Sequence, residues 1–251
     1  MSEFRVVRPD RFPPIVKNLM IINVLVFVAQ SVLDSQYAVT RHLELWPIMP
    51  GELKPYLQMM FDMKKLDLEP QSFQPYQIFT HMFAHAPAPQ FYHILFNMFT
   101  LWMFGRVLEN VWGAKRFLIF YIACGLGAAI LHLGMQYYRC ELLLEAFQHQ
   151  NVAGVDANIA GIVPALGASG AIMGVMAAFA YLFPNTELYI MLIPIPIKAK
   201  WAMLGLAAID LFGGVANIAG DNLAHFAHLG GAITGFIIVL IWNKTSRKTF
   251  Y

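Results

Sequence analysis

Gly167-Ala168-Ser169-Gly170-Ala171-Ile172-Met173-Gly174 opens an apolar run that continues to Phe183. Gly170 and Gly174 are four apart, a small-xxx-small pair through which two helices approach closely in lipid. Read alone, the octet is a packing surface that happens to contain a serine. Three features elsewhere lift Ser169 above that reading. They are a histidine on a glycine-faced segment, an amide one helical turn from another histidine, and a topology that puts all of them at one depth.

The solvent comes first. The chain has 251 residues, of which 58% are hydrophobic and 13% charged, and its mean hydropathy is +0.55. Soluble domains carry about 25% charge, so these numbers point to lipid. A net charge of +2 is too small for a nucleic-acid partner. Arg5, Arg8 and Arg11 precede the first apolar segment, but Asn18 and Asn23 interrupt it and no small-residue cleavage site follows. It reads as a retained span rather than a removed signal peptide. Cys124 and Cys140 are too few for a disulfide framework.

A spanning helix needs about 20 mostly apolar residues. Six candidates follow: Ile15–Leu33, Phe91–Val111, Phe117–Tyr138, Val163–Phe183, a shorter Ala199–Val215, and Leu223–Trp242. The expected class is therefore an all-α membrane protein, with its transmembrane domain over 15–243 between tails 1–14 and 244–251. Lys and Arg in the loops set the orientation. With the N-terminus inside, inner segments hold 12 of the 17 and outer segments 5, while acids gather outside. Both termini are then inside. The first outer loop, 34–90, mixes Trp46, Tyr56, Phe61, Phe73 and Tyr76 with charges and prolines. That composition suits short amphipathic helices in the headgroup region, or a small outer subdomain. No internal repeat is visible, which weighs against inverted-repeat transporters.

On this topology the second, fourth and sixth spans enter from the outer face. His93 and Asn97, Ser169, and His228 each fall within two turns of their span's outer end, about 5–10 Å deep at 1.5 Å per residue. Polar groups at that depth are expensive and mark function. His93 and Asn97 share a helix face. Gly231 and Gly235 follow His228 at i+3 and i+7 and match the small surface beside Ser169. Packing through these glycines brings hydroxyl and imidazole within reach, the requirement for a base-activated nucleophile. Asn97 and His93 would then donate to the oxyanion on an attacked carbonyl.

These pieces resemble the rhomboid intramembrane serine proteases. The matching motifs are His93-Ile94-Leu95-Phe96-Asn97, Phe104-Gly105, Leu108-Glu109 with Trp112-Gly113, Gly167-Ala168-Ser169-Gly170, and Ala227-His228-Leu229-Gly230-Gly231 with Gly235, in the family's order. The resemblance implies a six-transmembrane-helix bundle with a bacterial-type core, in a bacterial cell (inner) membrane with both termini cytoplasmic. It implies a serine endopeptidase in which Ser169 is the nucleophile and His228 the general base, a dyad without a third acid. His93, Asn97 and the Ser169 backbone N–H would form the oxyanion hole, and neither metal nor cofactor is used. Partners are the lipid bilayer and transmembrane protein substrates, with oligomeric state left open. Two departures stand out: Met173 replaces the aromatic common four residues after the serine, and no Trp-Arg pair occurs in the first loop, where Trp46-Pro47 is nearest.

Asp221 lies two turns before His228, too far to orient its ring. Asp210 is a partner only if the short fifth helix brings it round, with capping or a water-facing rim as the alternative. Glu109 reads as a structural hydrogen-bonding group. His81 and His85 have metal-compatible i,i+4 spacing but no HExxH and no adjacent carboxylate, so a structural or water-binding role is preferred. His225 reads as a wet neighbour of His228, and His42, His132 and His149 carry no signal. The fifth helix with the Gly213–Gly220 loop is the expected lateral gate. The alternatives carried forward are a non-catalytic rhomboid-like client-binding protein, a small polytopic transporter, and a membrane metal enzyme.

Overall fold

The computed structural model describes residues 9–64, 71–87, 89–159, 162–189, 195–216 and 224–245. Most of the N-terminal tail, residues 246–251, Asp221 and positions 217–220 of the expected gate loop lie outside that range. Helix α1 (Pro14–Tyr37) starts behind an extended Pro13 and stops at Ala38, whose φ of 48° is left-handed. Three short helices follow in the outer loop: α2 (Val39–Leu43), α3 (Leu53–Lys64) and α4 (Gln77–Thr80). The next apolar run is helical from Tyr92 to Trp112, as α5 (Tyr92–Thr100), a π-helical turn (Leu101–Gly105) and α6 (Arg106–Trp112). Then come α7 (Ala114–Gln148), α8 (Val152–Ile159), α9 (Ser169–Leu182), α10 (Ala199–Ala216) and α11 (His225–Thr245). A two-residue antiparallel pair, Glu187–Leu188 with Ile197–Lys198, precedes α10.

Among the described residues, three helices are long and apolar enough to cross a membrane: α1, α7 and α11. The surface fits lipid. Along α1 only Val16, Leu19, Asn23 and Gln30 are buried, while Ile22, Leu25, Val28 and Val32 are exposed. In water such a stripe would be an aggregation surface. At the other end of α1, Glu109 accepts the Ile15 and Val16 N–H groups at 2.9 and 2.8 Å, two of the donors a helix start leaves open.

Two sequence expectations are corrected by length. The third span is longer than expected: α7 has 35 residues, about 52 Å against a hydrocarbon thickness of about 30 Å. Its excess rises out of the bundle and forms its own core with α3, where Leu53 and Leu57 meet Cys140, Leu143 and Leu144 and Tyr56 stacks on Phe147. The outer loop is thus a small docked subdomain as well as a set of short helices. The helix in the expected fourth span is shorter than Val163–Phe183. Leu45 and Ala165 exchange backbone hydrogen bonds at 2.8 and 3.0 Å, so the stretch around Ala165 is extended; the chain then bends at Gly167, whose φ is 120°, and the helix begins at Ser169.

The centre of the molecule is the contact of α7, α9 and α11. A Cβ on Gly231 would overlap the Gly170 carbonyl, one on Gly235 would come within 2.6 Å of the Gly174 Cα, and one on Gly230 would meet the Gly127 carbonyl at 2.6 Å. Backbones that close leave no room for any side chain. Gly231→Ala is expected to lower stability by at least ~1–3 kcal/mol, the cost of overpacking, whereas Gly134→Ala, with nothing within 4 Å of the new methyl, should leave it unchanged. Thermal unfolding in detergent checks both.

The outer subdomain buries three titratable groups. Burial raises the Glu44 carboxyl from 4.5 to about 7, with Arg41 opposing and Asp34 adding to the rise. Burial lowers His81 from 6.5 to about 4 and His85 likewise, with His93 adding to the drop. Between pH 4.5 and 6.5 the undocked segment holds two imidazole protons that the docked one lacks, and the docked one holds one carboxyl proton. Net, docking releases one proton, so stability rises with pH. Acidification through that window should weaken docking roughly tenfold per pH unit, and Glu44→Gln should steepen this to roughly a hundredfold. Melting curves that stay flat or rise from pH 6.5 to 4.5 would contradict the assignment.

Candidate active site

The four residues singled out in the sequence converge on one cavity. It has a volume of about 930 Å³ and is lined by His93, Asn97, Ser169 and His228 together with Phe96, Met173, Met176 and Leu206. Ser169 is the first residue of α9, and the N–H groups of the helix's first turn face its open end, where negative charge is favoured. The Ser169 hydroxyl lies 2.8 Å from His228 Nε2. The helix starts place both: His228 is the fourth residue of α11 and Ser169 the first of α9, on backbones brought together by Gly170 and Gly231.

Gly167 separates serine from His93. A Cβ there would stand 3.0 Å from His93 Nε2 and 3.6 Å from Ser169 Oγ, in the space a reacting group needs. Its positive φ excludes a side chain on backbone grounds too. On α5, Asn97 Nδ2 donates to the His93 carbonyl at 2.9 Å. An amide nitrogen carries two protons, so one remains for the cavity.

The tautomer of His93 follows from its other side. The Ala86 N–H donates to His93 Nδ1 at 3.1 Å. Nδ1 is therefore an acceptor, and the ring proton sits on Nε2, the atom facing Gly167 and Ser169. What holds Ala86 is the residue before it. Gln30 on α1 accepts the His85 N–H at 2.9 Å and donates to the His85 carbonyl at 2.9 Å, with Thr40 Oγ at 2.8 Å as a second acceptor. Gln30 is fully buried and clamps the loop that fixes His93. Sequence reading passed over it. The available signal was its place directly after the apolar run Val24-Leu25-Val26-Phe27-Val28-Ala29, because a glutamine buried there needs partners.

The acid is where expectation and structure part. Asp210 Oδ1 accepts from His228 Nδ1 at 3.0 Å and from His225 Nδ1 at 2.9 Å. The dyad expectation, with no third acid at the imidazole, is therefore corrected. The short fifth helix does bring Asp210 round, because α10 lies along the start of α11. His225 is corrected with it: at 7% exposure it is buried rather than wet. His81 and His85 are buried, and the His81 carbonyl accepts the Gly167 N–H at 2.8 Å, tying that loop to the serine turn. His132 is buried in α7. Among the described residues no group of three or more His, Cys, Asp or Glu side chains is placed to hold a metal ion.

Fold and site together define a helical membrane protein in which a serine, an imidazole and a carboxylate are linked by hydrogen bonds beside an open cavity. Comparison with known proteins gives the family. The Rhomboid domain model matches residues 72–244, well over half of the chain, and the chain belongs to the rhomboid family. Rhomboid protein 1, mitochondrial, of Saccharomyces cerevisiae is 29% identical over 166 residues, 66% of this chain and 41% of the yeast protein. Presenilin-associated rhomboid-like protein A, mitochondrial, of Danio rerio is 30% identical over 158 residues, 61% and 36% of the two chains. RHOMBOID-like protein 12, mitochondrial, of Arabidopsis thaliana is 28% identical over 175 residues, 69% and 47%. The chain spans less than half the length of each of these relatives. All three are mitochondrial proteins of eukaryotes, which overturns the expectation of a bacterial cell membrane, and the cytoplasmic assignment of the termini goes with it.

Gln30→Leu should leave two backbone groups of His85 unpaired in a buried place, each costing about 1–3 kcal/mol. The expected result is a lower melting temperature and loss of the single Nε2–H tautomer of His93, read by ¹⁵N NMR of histidine-labelled protein. An unchanged His93 spectrum would refute the clamp.

Proposed function

We propose that this chain is an intramembrane serine endopeptidase that cuts peptide bonds in or beside the transmembrane helices of other membrane proteins. The observation that carries the proposal is the 2.8 Å contact of Ser169 Oγ with His228 Nε2, at a cavity that His93 and Asn97 also line. In this reading Oγ attacks the scissile carbonyl carbon while its proton passes to Nε2. The oxyanion accepts hydrogen bonds from the remaining Asn97 proton, His93 Nε2–H and the Ser169 N–H. Collapse of the tetrahedral adduct expels the amine, which takes the proton from His228. Water then repeats the sequence on the acyl-enzyme.

The proposed bundle has six spans: α1, the Tyr92–Trp112 run, α7, α9, α10 and α11. The termini lie on one side and the cavity opens to the other. The domain runs over 15–243 with the loop 34–90 docked on its outer face, between tails 1–14 and 244–251. Likeness to the relatives makes the bilayer a mitochondrial one. Substrate helices must unwind locally, since a scissile carbonyl inside a helix is already hydrogen-bonded. Met173 and Met176, flexible and polarizable, border the space where the residue beside the cut would sit.

The test is incubation of detergent-purified protein with a model single-span substrate. Ser169→Ala and His228→Ala should each lower the cleavage rate at least ~1000-fold, Ser169→Ala with unchanged melting temperature and His228→Ala with a lower one, because it takes a donor from the buried Asp210 carboxylate. Cleavage by Ser169→Ala at the wild-type rate would end the serine reading. A client-binding role predicts that the wild type binds the substrate and never cuts it.

A further inference from the structure

We propose that Asp210 is a positioning residue for the imidazole of His228, and that His225 is a second clamp that holds the Asp210 carboxylate in place; this rests on the serine endopeptidase reading above. A carboxylate only accepts hydrogen bonds. With Asp210 Oδ1 at 3.0 Å from His228 Nδ1, that nitrogen carries the proton. Nε2 is then left with its lone pair toward the Ser169 hydroxyl at 2.8 Å. The other neutral tautomer would set the Nδ1 lone pair against the carboxylate and leave Nε2 with a proton, unable to receive another. One bond thus decides whether the serine has a base. It also places a negative charge beside the imidazolium that forms as the serine proton arrives.

Asp210 itself needs holding. It is 6% exposed, and an underpaired carboxylate at that burial is costly. His225 supplies the second donor at 2.9 Å. His225 and His228 are three residues apart on α11, so both rings face the same strip of α10. The site of contact is shaped for the ring: a Cβ on Gly213, three residues past Asp210, would lie 2.5, 2.6 and 3.0 Å from three atoms of the His225 imidazole. One residue further on, the Gly214 carbonyl accepts from Arg139 Nη2 of α7 at 2.6 Å. Two imidazoles and a guanidinium therefore fasten the C-terminal half of α10. It follows that the base is oriented only while α10 is seated.

The experiment measures kcat and KM on the single-span substrate, with Ser169→Ala beside each variant. Asp210→Asn offers an amide N–H to Nδ1 and so selects the wrong tautomer. It should lower kcat about 100- to 10,000-fold with KM within about threefold. His225→Leu should lower kcat about tenfold, and His225→Asn, whose amide can donate again from nearly the same place, should recover most of that loss. Asp210→Asn within threefold of wild-type kcat overturns the proposal. Should Asp210→Asn fail to fold, ¹⁵N NMR of wild-type protein labelled in histidine decides: His228 protonated at Nδ1 supports the proposal and His228 protonated at Nε2 refutes it. If Ser169→Ala still cuts, the serine reading has failed, a result distinct from an Asp210 variant that cuts while Ser169→Ala does not.

Discussion

The structure depends on how closely three backbones approach. Helices with ordinary side chains pack with axes 8–10 Å apart, a separation at which an imidazole on one and a hydroxyl on the next need not meet. Here the Gly170 and Gly174 carbonyls of α9 sit where side chains of α11 would be. In lipid no hydrophobic force drives such a contact, so van der Waals fit must supply the association. The same glycines that give this fit set the 2.8 Å between Ser169 and His228. Stability and reactivity therefore share their residues, and a methyl group at the interface disturbs both at once.

The second constraint is polar. A bundle in hydrocarbon cannot leave donors and acceptors open, and the polar groups at the cavity have partners of their own. His93 is held by the Ala86 N–H, the His85 backbone by Gln30, and the serine turn by the His81 carbonyl. These anchors lie in the outer loop and α1, neither of which contributes an atom to the proposed chemistry. A loop that looks peripheral is the scaffold of the proposed oxyanion side.

What the sequence disclosed was what local rules govern. Ser169, His228, His93 and Asn97 were legible because helical spacing and span entry fix depth without knowledge of packing. The start of α9 was not, since Val163-Pro164-Ala165-Leu166 is as apolar as a helix and its extended path comes from pairing with Leu45, a partner about 120 positions away. Asp210 stayed an open alternative for a related reason. Its distance to His228 depends on how α10 lies along α11, which no periodicity records. The bacterial location failed differently. An asymmetry of Lys and Arg reports which side of a bilayer a loop is on, and the physics of sidedness does not say which bilayer.

The placement of the acid changes what a lateral gate would mean. Helix α10 lies against α11 and α9, and Trp201, Leu204, Ile209 and Phe212 are exposed along it. Its C-terminal half carries Asp210 and the carbonyl that Arg139 holds. Admission of a substrate by swinging α10 outward would take the carboxylate from His228 and leave the imidazole free to choose either tautomer. Reseating would restore the lone pair on Nε2. If α10 moves in that way, an open site would be a disarmed one, and the proposed nucleophile would gain its base only once the helix had closed on what it admitted.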